Sequence, residues 1–374
     1  MTEILSIAMI LALGTSLIVV GLWRNTVCQG PMGVSFFTFM AILFTSGLDV
    51  GLIMFPLVDY AVYAEDDVYA FTNPLAIEFG FWGFLVWGFY FLTTFYFCIV
   101  EPKLRLFEIR VIKMVNNLVV IATCAFTAYL FFSYLPDYIS GVSETQRYGL
   151  VAIVILAAAL SSSDIRFVRI LSVGSTWLFL LLIAGLWWMS AQGLQGLLSA
   201  VGSLSDYFVH LHRFVLPMSD YHEFYLYWWF AWSIMIGQFV ARFTGGIKAW
   251  HLFIALLVVP SIPIGIWFSV LYTYYSGNLE VAGAGRLAMV VVGVIFVINS
   301  LDSLTRLYTQ NMGMTRDRLG LPLYVVFNFV VLAGLVLLYQ LTPLKIEWIG
   351  LLVIGLYIAV YVLVFLRRDL LRTD

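Results

Sequence analysis

Charged residues are scarce in this chain of 374 residues, because Asp, Glu, Lys and Arg together make up only 11% of it. An ordinary globular domain carries roughly 25% charged residues. Hydrophobic residues make up 63% of the chain and aromatic residues 17%. The formal net charge is −2 and no basic run is present, which argues against nucleic acid as a partner. We therefore expect an integral membrane protein.

Cysteine and the motifs of soluble enzymes are equally scarce. The three cysteines are an odd number, and Cys98 and Cys124 lie in apolar stretches, so we expect neither a disulfide framework nor a metal cluster. The sequence has no HExxH motif, no glycine-rich phosphate loop, and no nucleophile with a histidine partner at membrane depth. We expect a protein that is not an enzyme and needs no cofactor.

Long apolar runs dominate the sequence instead. A crossing needs about 20 apolar residues, and the chain offers eleven candidate spans, at 4–23, 34–58, 78–100, 111–135, 148–163, 170–190, 224–243, 252–275, 287–304, 324–341 and 349–366. The stretch 192–215 mixes glycine, serine and apolar residues with His210, His212 and Arg213. It is more typical of a helix lying in the membrane interface than of a twelfth span.

The basic residues predict the orientation of these spans. All but four of the 19 lysines and arginines fall on one side of the membrane when the N-terminus is placed outside. The four exceptions are Arg147, Arg213, Arg286 and Lys345. The positive-inside rule therefore predicts an outside N-terminus and a cytoplasmic C-terminus. We expect a multi-pass protein of the inner (cytoplasmic) membrane, with the lipid bilayer as its surroundings.

The spans divide into an extra helix and two groups of five. Residues 1–33 hold the first helix and its loop, 34–190 the first group, 191–223 an interfacial amphipathic segment, and 224–374 the second group with a short cytoplasmic tail. The two groups enter the membrane with opposite sense, so an inverted repeat is possible. Irregular helices at matching places in two such halves indicate a transport site.

The segment Ser46-Gly47-Leu48-Asp49-Val50-Gly51 interrupts an otherwise apolar span. Its two glycines favour unwinding, which exposes carbonyl oxygens that can coordinate a small cation. The alternative is a close helix contact through Gly-xxx-Gly. A carboxylate at mid-depth costs at least ~2.5 kcal/mol and must face a partner or water, so Asp49 favours a functional role.

Two aromatic helix faces are candidates for a binding site. One consists of Phe224, Tyr225, Trp228, Trp229 and Trp232, and the other of Trp82, Trp87 and Tyr90, which fall within an arc of about 140° on a regular helix. Two such faces meeting across a cavity would bind a quaternary ammonium through cation–π attraction. An interfacial aromatic belt or plain core packing are the alternatives.

Other polar residues in the spans allow two interpretations each. Thr123 and Thr127 are either cation ligands or hydroxyls bonded back to their own helix. Asn299, Ser300 and Asp302 are candidate ligands near the end of the ninth span, although Asp302 could simply pair with Arg306 one turn later.

Several of these motifs resemble one transporter family. FYLYWWFAWSIMIGQFVARFTGG (Phe224 to Gly246) is similar to the tryptophan-rich signature helix of the betaine/choline/carnitine transporter family. FWGFLVWGFY (Phe81 to Tyr90) resembles the other aromatic helix of that family. SGLDVGLIMF stands at its glycine-rich unwound stretch, and SSSDIRFVRILS resembles a segment that precedes a helix there. The resemblance extends from about Leu5 to the end.

The resemblance implies a LeuT-type fold of two inverted five-helix repeats, an aromatic box for trimethylammonium groups, sodium or proton symport, and often a homotrimer. It implies substrate contacts from Trp82, Trp87, Tyr90, Phe224, Trp228, Trp229 and Trp232. It implies one sodium site made by the backbone oxygens of Thr45, Leu48 and Phe296 with the side chains of Asn299 and Ser300, and a second made by Thr123 and Thr127.

We therefore expect a secondary active transporter that imports a quaternary or tertiary methylammonium compound such as choline, glycine betaine or trimethylamine. A channel or a ligand-binding receptor for the same cations is the alternative. Asp49 stands where many sodium-coupled members of the family have glycine. Because a substrate carboxylate would be repelled by Asp49, this residue favours choline or a methylamine over betaine.

Overall fold

The computed structural model describes residues 2–46, 50–139 and 141–371. Helices make up 83% of it, and the described residues form no strand. Two isolated bridges, Val27 to Lys248 and Gly33 to Thr244, tie the loop after the first helix to a later loop.

The helices before the middle of the chain are α1 (Thr2–Trp23), α2 (Phe36–Ser46), α3 (Val50–Met54), α4 (Pro56–Glu65), α5 (Pro74–Trp82), α6 (Trp87–Phe95), α7 (Glu101–Leu104), α8 (Arg110–Tyr138), α9 (Glu144–Ser161), α10 (Arg166–Met189), α11 (Gly193–Ser203) and α12 (Ser205–Val209). The later helices are α13 (Asp220–Ala241), α14 (Ala249–Leu257), α15 (Ser261–Ser276), α16 (Gly283–Met312), α17 (Arg316–Leu319), α18 (Leu321–Leu341) and α19 (Ile346–Leu366). A π-helical turn, Tyr96–Val100, joins α6 to α7.

Helices occupy all eleven predicted span positions. Among the described residues, eight segments are long and apolar enough to cross a membrane, namely Thr2–Trp23, Pro74–Leu104, Arg110–Asp137, Arg166–Met189, Ala249–Ser276, Gly283–Met312, Leu321–Leu341 and Ile346–Leu366. The remaining predicted positions coincide with the broken helix α2–α4, with α9 and with α13. The chain is thus a helical protein of membrane type, and the number of eleven crossings stays a prediction.

The predicted span 78–100 is not one regular helix. It breaks after Trp82, because Gly83 is extended and Phe84 adopts a left-handed φ of 48° before α6 begins. The amide of Phe84, which a regular helix would satisfy internally, donates to Ser261 Oγ at 2.8 Å. The predicted arc of Trp82, Trp87 and Tyr90 on one helix face was therefore wrong, since the two tryptophans lie on different helices.

The leading helix of the second group is regular, so the structure shows no helix break there that would match a break in the first group. α13 is continuous, and it is buried from Tyr225 to Gly237. Gly237 allows α6 to approach closely, because a Cβ there would lie 2.4 Å from Thr93 Oγ1. Thr93 Oγ1 instead donates to the carbonyl oxygen of Ser233 at 2.7 Å.

The predicted unwound stretch falls mainly outside the described residues. Gly47, Leu48 and Asp49 lie between α2 and α3 and are not described. The described residues of this span show an interruption at Pro56, which begins α4 and lacks the backbone N–H of a helix interior.

Helices of the two groups contact one another in matching pairs. The third span of the first group is α8 and that of the second group is α16, and these two helices pack together. The fourth spans, α9 and α18, also pack together. α9 and α10 pack on α16, just as α18 and α19 pack on α8. α2 packs on α10 as α13 packs on α19, and α4 packs on α15 as α6 packs on α13. Exchanging the two groups therefore reproduces these contacts.

The segment predicted to lie in the interface consists of short helical pieces, α11, α12 and the 3₁₀ turn Leu211–Val215. α11 packs on α15 and α12 packs on α5. Leu194, Leu198 and Phe208 are exposed, as an amphipathic segment at a membrane surface requires. Its position relative to the lipid stays a prediction.

Candidate functional site

Three tryptophans from two helices meet in the interior, and we call them the tryptophan cluster. Trp82 ends α5, and Trp228 and Trp229 lie in the middle of α13. The rings of Trp228 and Trp229 are stacked, with centroids 5.1 Å apart and an interplanar angle of 5°. Trp82 meets both edge-on, at 5.4 Å and 5.0 Å. The three indoles are buried.

The helix break after Trp82 supplies hydrogen-bond acceptors to this cluster. Carbonyl groups at the end of a helix lack an intrahelical partner. Trp229 Nε1 donates to the carbonyl oxygen of Phe81 at 2.7 Å, and Trp87 Nε1 donates to that of Trp82 at 3.1 Å. The break therefore fixes the orientation of indoles on both α6 and α13.

Further aromatic rings enclose the cluster. Three of them, Phe55, Phe126 and Tyr134, were not predicted from the sequence. Phe55, at the junction of α3 and α4, lies 6.2 Å from both Trp82 and Trp228 and stacks on Tyr134 at 3.9 Å. Phe126 of α8 lies 5.9 Å from Trp228. The position of Phe55 directly before Pro56 in an interrupted helix was the available signal.

The remaining predicted aromatic residues lie around the cluster. Phe224 is 5.8 Å from Trp228, and Tyr90 is 6.3 Å from Trp229. Trp87 contacts Tyr90 edge-on at 5.1 Å. Trp232, one turn beyond Trp228, is also buried. Nε1 of Trp228 and Nε1 of Trp232 have no hydrogen-bond partner among the described residues.

The indole faces of the cluster are suited to a methylated ammonium group. Such a cation is attracted by the negative face of each ring by roughly 0.5–2 kcal/mol, and most strongly where water is excluded. In the structure the indoles contact one another. A cation between their faces would require the rings to move apart.

A polar cavity of about 450 Å³ opens at the end of the helix bundle that carries residues 101–117. Gln238 of α13 lies in its wall, where its Nε2 donates to Asn116 Oδ1 at 3.0 Å and its Oε1 accepts from Asn311 Nδ2 at 3.1 Å. Arg242 donates to Gln310 nearby. The cavity therefore gives solvent a polar approach along α13 from this end.

Aromatic and acidic side chains fill the opposite end, which carries residues 193–215. Asp59 of α4 and Glu78 of α5 are buried there among tyrosines. Tyr63 Oη donates to Glu78 Oε2 at 2.7 Å, and Tyr221 Oη donates to Asp59 Oδ2 at 2.9 Å. Neither acid was predicted as a site residue, although Glu78 lies within a predicted span, where an acidic residue is itself a signal of function.

The first predicted sodium site is described in part. Thr45 and Asn299 are both buried, and Asn299 Nδ2 lies 3.4 Å from the carbonyl oxygen of Thr45. Asn299 Oδ1 has no partner among the described residues. Phe296 packs between Phe44 and Phe179, one turn before Asn299 and Ser300 on α16. Leu48 lies outside the described residues, so the ligand set stays a prediction.

At the second predicted sodium site, the two threonine hydroxyls face carbonyl oxygens of their own helix, which is the alternative to a role as cation ligands. Thr123 Oγ1 donates to the carbonyl oxygen of Val119 at 2.8 Å, and Thr127 Oγ1 lies 3.5 Å from that of Thr123. Both threonines are buried on α8, which packs on α16. Their oxygen lone pairs remain available to a cation.

Asp302 pairs with Arg306, as its spacing of four residues indicated. Their side chains meet at 3.3 Å, and both are buried. Arg306 Nη2 also donates to the carbonyl oxygens of Ser161 and Asp164, at 3.2 Å and 2.9 Å. In the loop after α9, hydrogen bonds from Arg166 lower the pKa of Asp164 to about 2. Arg306 thus joins α16 to the end of α9.

Comparison with known proteins gives weak but consistent similarities. No protein-family model matches the chain. The chain is similar to a glycine betaine/proline/choline/ectoine transporter and to glycine betaine transporter 1, both of Vibrio parahaemolyticus, at 30% identity over 19% of the chain and 28% over 21%. These matches cover 15% and 17% of the relatives.

An uncharacterized transporter of Mycobacterium tuberculosis is 22% identical over 63% of the chain and 47% of its own length. The chain thus spans less than half the length of each of these curated relatives. Their names are those of transporters and not of enzymes. Together with the apolar helices, the similarities support a multi-pass membrane transporter.

Proposed function

We propose that this protein is a secondary active transporter that imports a quaternary or tertiary methylammonium compound, driven by a sodium or proton gradient. The observation that carries the proposal is the tryptophan cluster, in which Trp82, Trp228 and Trp229 meet within 5.0–5.4 Å in the interior. Buried indole faces bind methylated cations without a full counter-charge. Choline, glycine betaine and trimethylamine share this chemistry.

The proposed architecture is a LeuT-type pair of inverted repeats, 34–190 and 224–374, linked by 191–223 and preceded by an extra helix in 1–33. The exchange of helix contacts between the two groups supports this division. With eleven crossings, the positive-inside rule gives an outside N-terminus and a cytoplasmic C-terminus in the inner membrane. The proposed assembly is a homotrimer in the bilayer. This part of the proposal rests only on the resemblance to the transporter family.

Alternating access is supported by the difference between the two ends of the bundle. A polar cavity of about 450 Å³ lies at one end, whereas packed tyrosines and phenylalanines fill the other. By the proposed orientation the cavity faces the cytoplasm. The substrate would then leave toward Gln238 after release from the cluster.

The proposed substrate contacts come from the tryptophan cluster and from Trp87, Tyr90, Phe224, Trp232 and Asp49. Asp49 would balance a substrate that has a positive charge and no carboxylate, which favours choline or a methylamine. Sodium, if it is the coupling ion, would bind the carbonyl oxygen of Thr45 with Asn299 and its neighbours, and Thr123 with Thr127.

Uptake into proteoliposomes tests this function. Labelled choline and betaine are supplied while sodium and proton gradients are imposed separately. We expect accumulation above the external concentration under one of the two gradients. Equilibration without accumulation under either gradient would indicate a channel, and binding without uptake would indicate a receptor. Trp188→Ala is a matched control for cluster variants, because Trp188 is 83% exposed on α10.

A further inference from the structure

Asp59 and Glu78 are buried side by side, and the described part of the chain gives them no basic partner. The exposed fraction is 4% for Asp59 and 0% for Glu78. Within the described residues, no lysine, arginine or histidine forms an ion pair with either of them. Ionising both carboxylates in this position would cost far more free energy than ionising one of them. The reason is that neither solvent nor a described cationic side chain offsets the negative charge.

The hydrogen bonds to the two acids are unequal. Tyr221 and Tyr225 donate to Asp59 Oδ2 at 2.9 Å and 3.3 Å, and Tyr63 Oη lies 3.5 Å from the same oxygen. Glu78 receives one bond, from Tyr63 to Oε2 at 2.7 Å. Hydrogen bonds to a carboxylate favour its charged form. Asp59 is therefore the better site for the negative charge.

The second oxygen of Glu78 is an independent sign that something else binds here. Glu78 Oε1 has no hydrogen-bond partner among the described residues. The indole N–H of Trp82, one turn later on α5, faces this carboxylate but does not meet hydrogen-bond geometry. A fully buried carboxylate oxygen without a donor costs far more free energy when the group is ionised than when that oxygen carries a proton.

Titratable groups on the elements around the pair contribute to its electrostatic surroundings. They are Tyr63 (α4), Asp66 and Tyr69 (the loop after α4), Tyr134 (α8), Asp206 (α12), His212 and Arg213 (residues 211–215), Tyr221, His222 and Tyr225 (α13), and Tyr272 and Tyr275 (α15).

None of the basic groups in this set bonds to the pair. Arg213 lies over the ring of Phe71, at 4.5 Å from its centroid. His222 is stacked on Phe81 at 4.5 Å, and its Nδ1 lies 3.4 Å from the amide of Met218. The titratable groups that bond to the carboxylates are therefore phenols, which supply hydrogen bonds but no positive charge.

We propose that Glu78 binds a proton at Oε1 while Asp59 stays ionised, and that this proton is the one exchanged during transport. The link to transport rests on the proposed function, whereas the proton site does not. A metal cation would need several oxygens turned toward one point. Here the phenol oxygens lie at hydrogen-bond distances from the carboxylates with their O–H groups directed at them.

The site is connected to the tryptophan cluster through two side chains. Glu78 lies one helical turn before Trp82, and the ring of Tyr225 contacts Trp82 at 5.6 Å. When the Oε1–H bond breaks, the proton passes to water and Glu78 becomes an anion that needs a donor. The indole N–H of Trp82 is the donor that faces it, so loss of the proton would reorient a cluster residue.

Infrared difference spectroscopy of the purified full chain at neutral pH tests the proton site. A protonated carboxyl gives a C=O band that shifts on exchange into D₂O and is absent from a carboxylate. We expect Glu78→Gln to remove one such band and Asp59→Asn to retain it. Glu101→Gln is the matched control, since Glu101 accepts from Tyr96, Leu106 and Phe107 at the opposite end.

Three results would overturn the assignment. They are persistence of the band in Glu78→Gln, its absence from the wild type, and its loss on addition of sodium at fixed pH, which would indicate a metal cation. If Glu78→Gln does not fold, Tyr63→Phe serves instead. It removes the hydrogen bond to Oε2, so the band should move to higher frequency, and an unmoved band would place the proton on another residue.

A second measurement tests the link to transport. In proteoliposomes with an internal pH dye, substrate uptake by the wild type should carry protons inward. Glu78→Gln should retain exchange of labelled for unlabelled substrate and lose the proton movement. Proton movement that is unchanged in Glu78→Gln would refute the link. Absence of any methylammonium exchange in the wild type would refute the proposed function and leave the infrared result intact.

Discussion

Replacement of Trp229 gives the sharpest test of the tryptophan cluster as a cation site. Trp229 stacks on Trp228, meets Trp82 edge-on and donates to the carbonyl oxygen of Phe81. Loss of one ring face from a dry cation site costs on the order of 1–2 kcal/mol. We therefore expect Trp229→Ala to weaken binding of a methylammonium ligand by roughly five- to thirtyfold.

Trp229→Ala also changes the protein itself, so a second variant is needed. Removing a buried tryptophan side chain costs ~3–5 kcal/mol of stability, and it leaves the carbonyl of Phe81 without the indole donor. Trp229→Phe keeps an aromatic face, although a smaller one, and loses the N–H, whose hydrogen bond is worth about 1 kcal/mol. We expect Trp229→Phe to recover most of the affinity lost in Trp229→Ala.

The assay is isothermal calorimetry of choline binding to purified protein in detergent, with thermal unfolding recorded for each variant. Trp188→Ala removes a tryptophan that is 83% exposed and should bind as the wild type does. An affinity within twofold of the wild type for folded Trp229→Ala would refute the cation–π assignment. Equal losses in Trp229→Ala and Trp229→Phe would assign the effect to the hydrogen bond to Phe81.

Three further variants test other parts of the proposal. Asp49→Gly should weaken binding of choline far more than of betaine, because only choline lacks a carboxylate; equal losses would indicate a role in ion coupling instead. If sodium is the coupling ion, Asn299→Ala should raise the sodium concentration needed for half-maximal uptake, and uptake that proceeds equally well in potassium would exclude the sodium site. Gly237→Ala should lower the unfolding temperature by forcing apart α6 and α13, because its Cβ would lie 2.4 Å from Thr93 Oγ1. Gly355→Ala is the control and should leave the unfolding temperature unchanged, because its Cβ would have no atom within 4 Å.

The positions of the helices could be predicted from the sequence because they depend on local composition. Every apolar run of sufficient length corresponds to a helical segment, and the stretch 192–215 forms short helices instead of a span. Hydropathy alone does not show where a helix breaks. The break at Phe84 depends on a hydrogen bond to Ser261, which is 177 residues away.

The tryptophans of α13 could be found by their spacing and by resemblance, and Trp82 by resemblance, since bulky aromatic residues are concentrated in two predicted spans. Phe55 and Phe126 could not be predicted, because the sequence of an apolar span does not show whether a single phenylalanine packs on lipid or on another ring. The pair of Asp59 and Glu78 depends on the packing of α4 against α5. Each acid lies near the end of a predicted span, where an acid exposed to solvent would be expected.

The break in the span 78–100 gives the structural reason for placing the proton site and the tryptophan cluster together. α5 is only nine residues long and carries Glu78 and Trp82 on consecutive turns. Because Gly83 to Val86 separate it from α6, a small movement of α5 does not require α6 to move with it. The charge of Glu78 can therefore alter the position of Trp82 while Tyr90 stays packed on α13. A continuous helix would distribute the same movement over the whole span, so the break confines the effect of the proton to the end of the site that faces the acid pair.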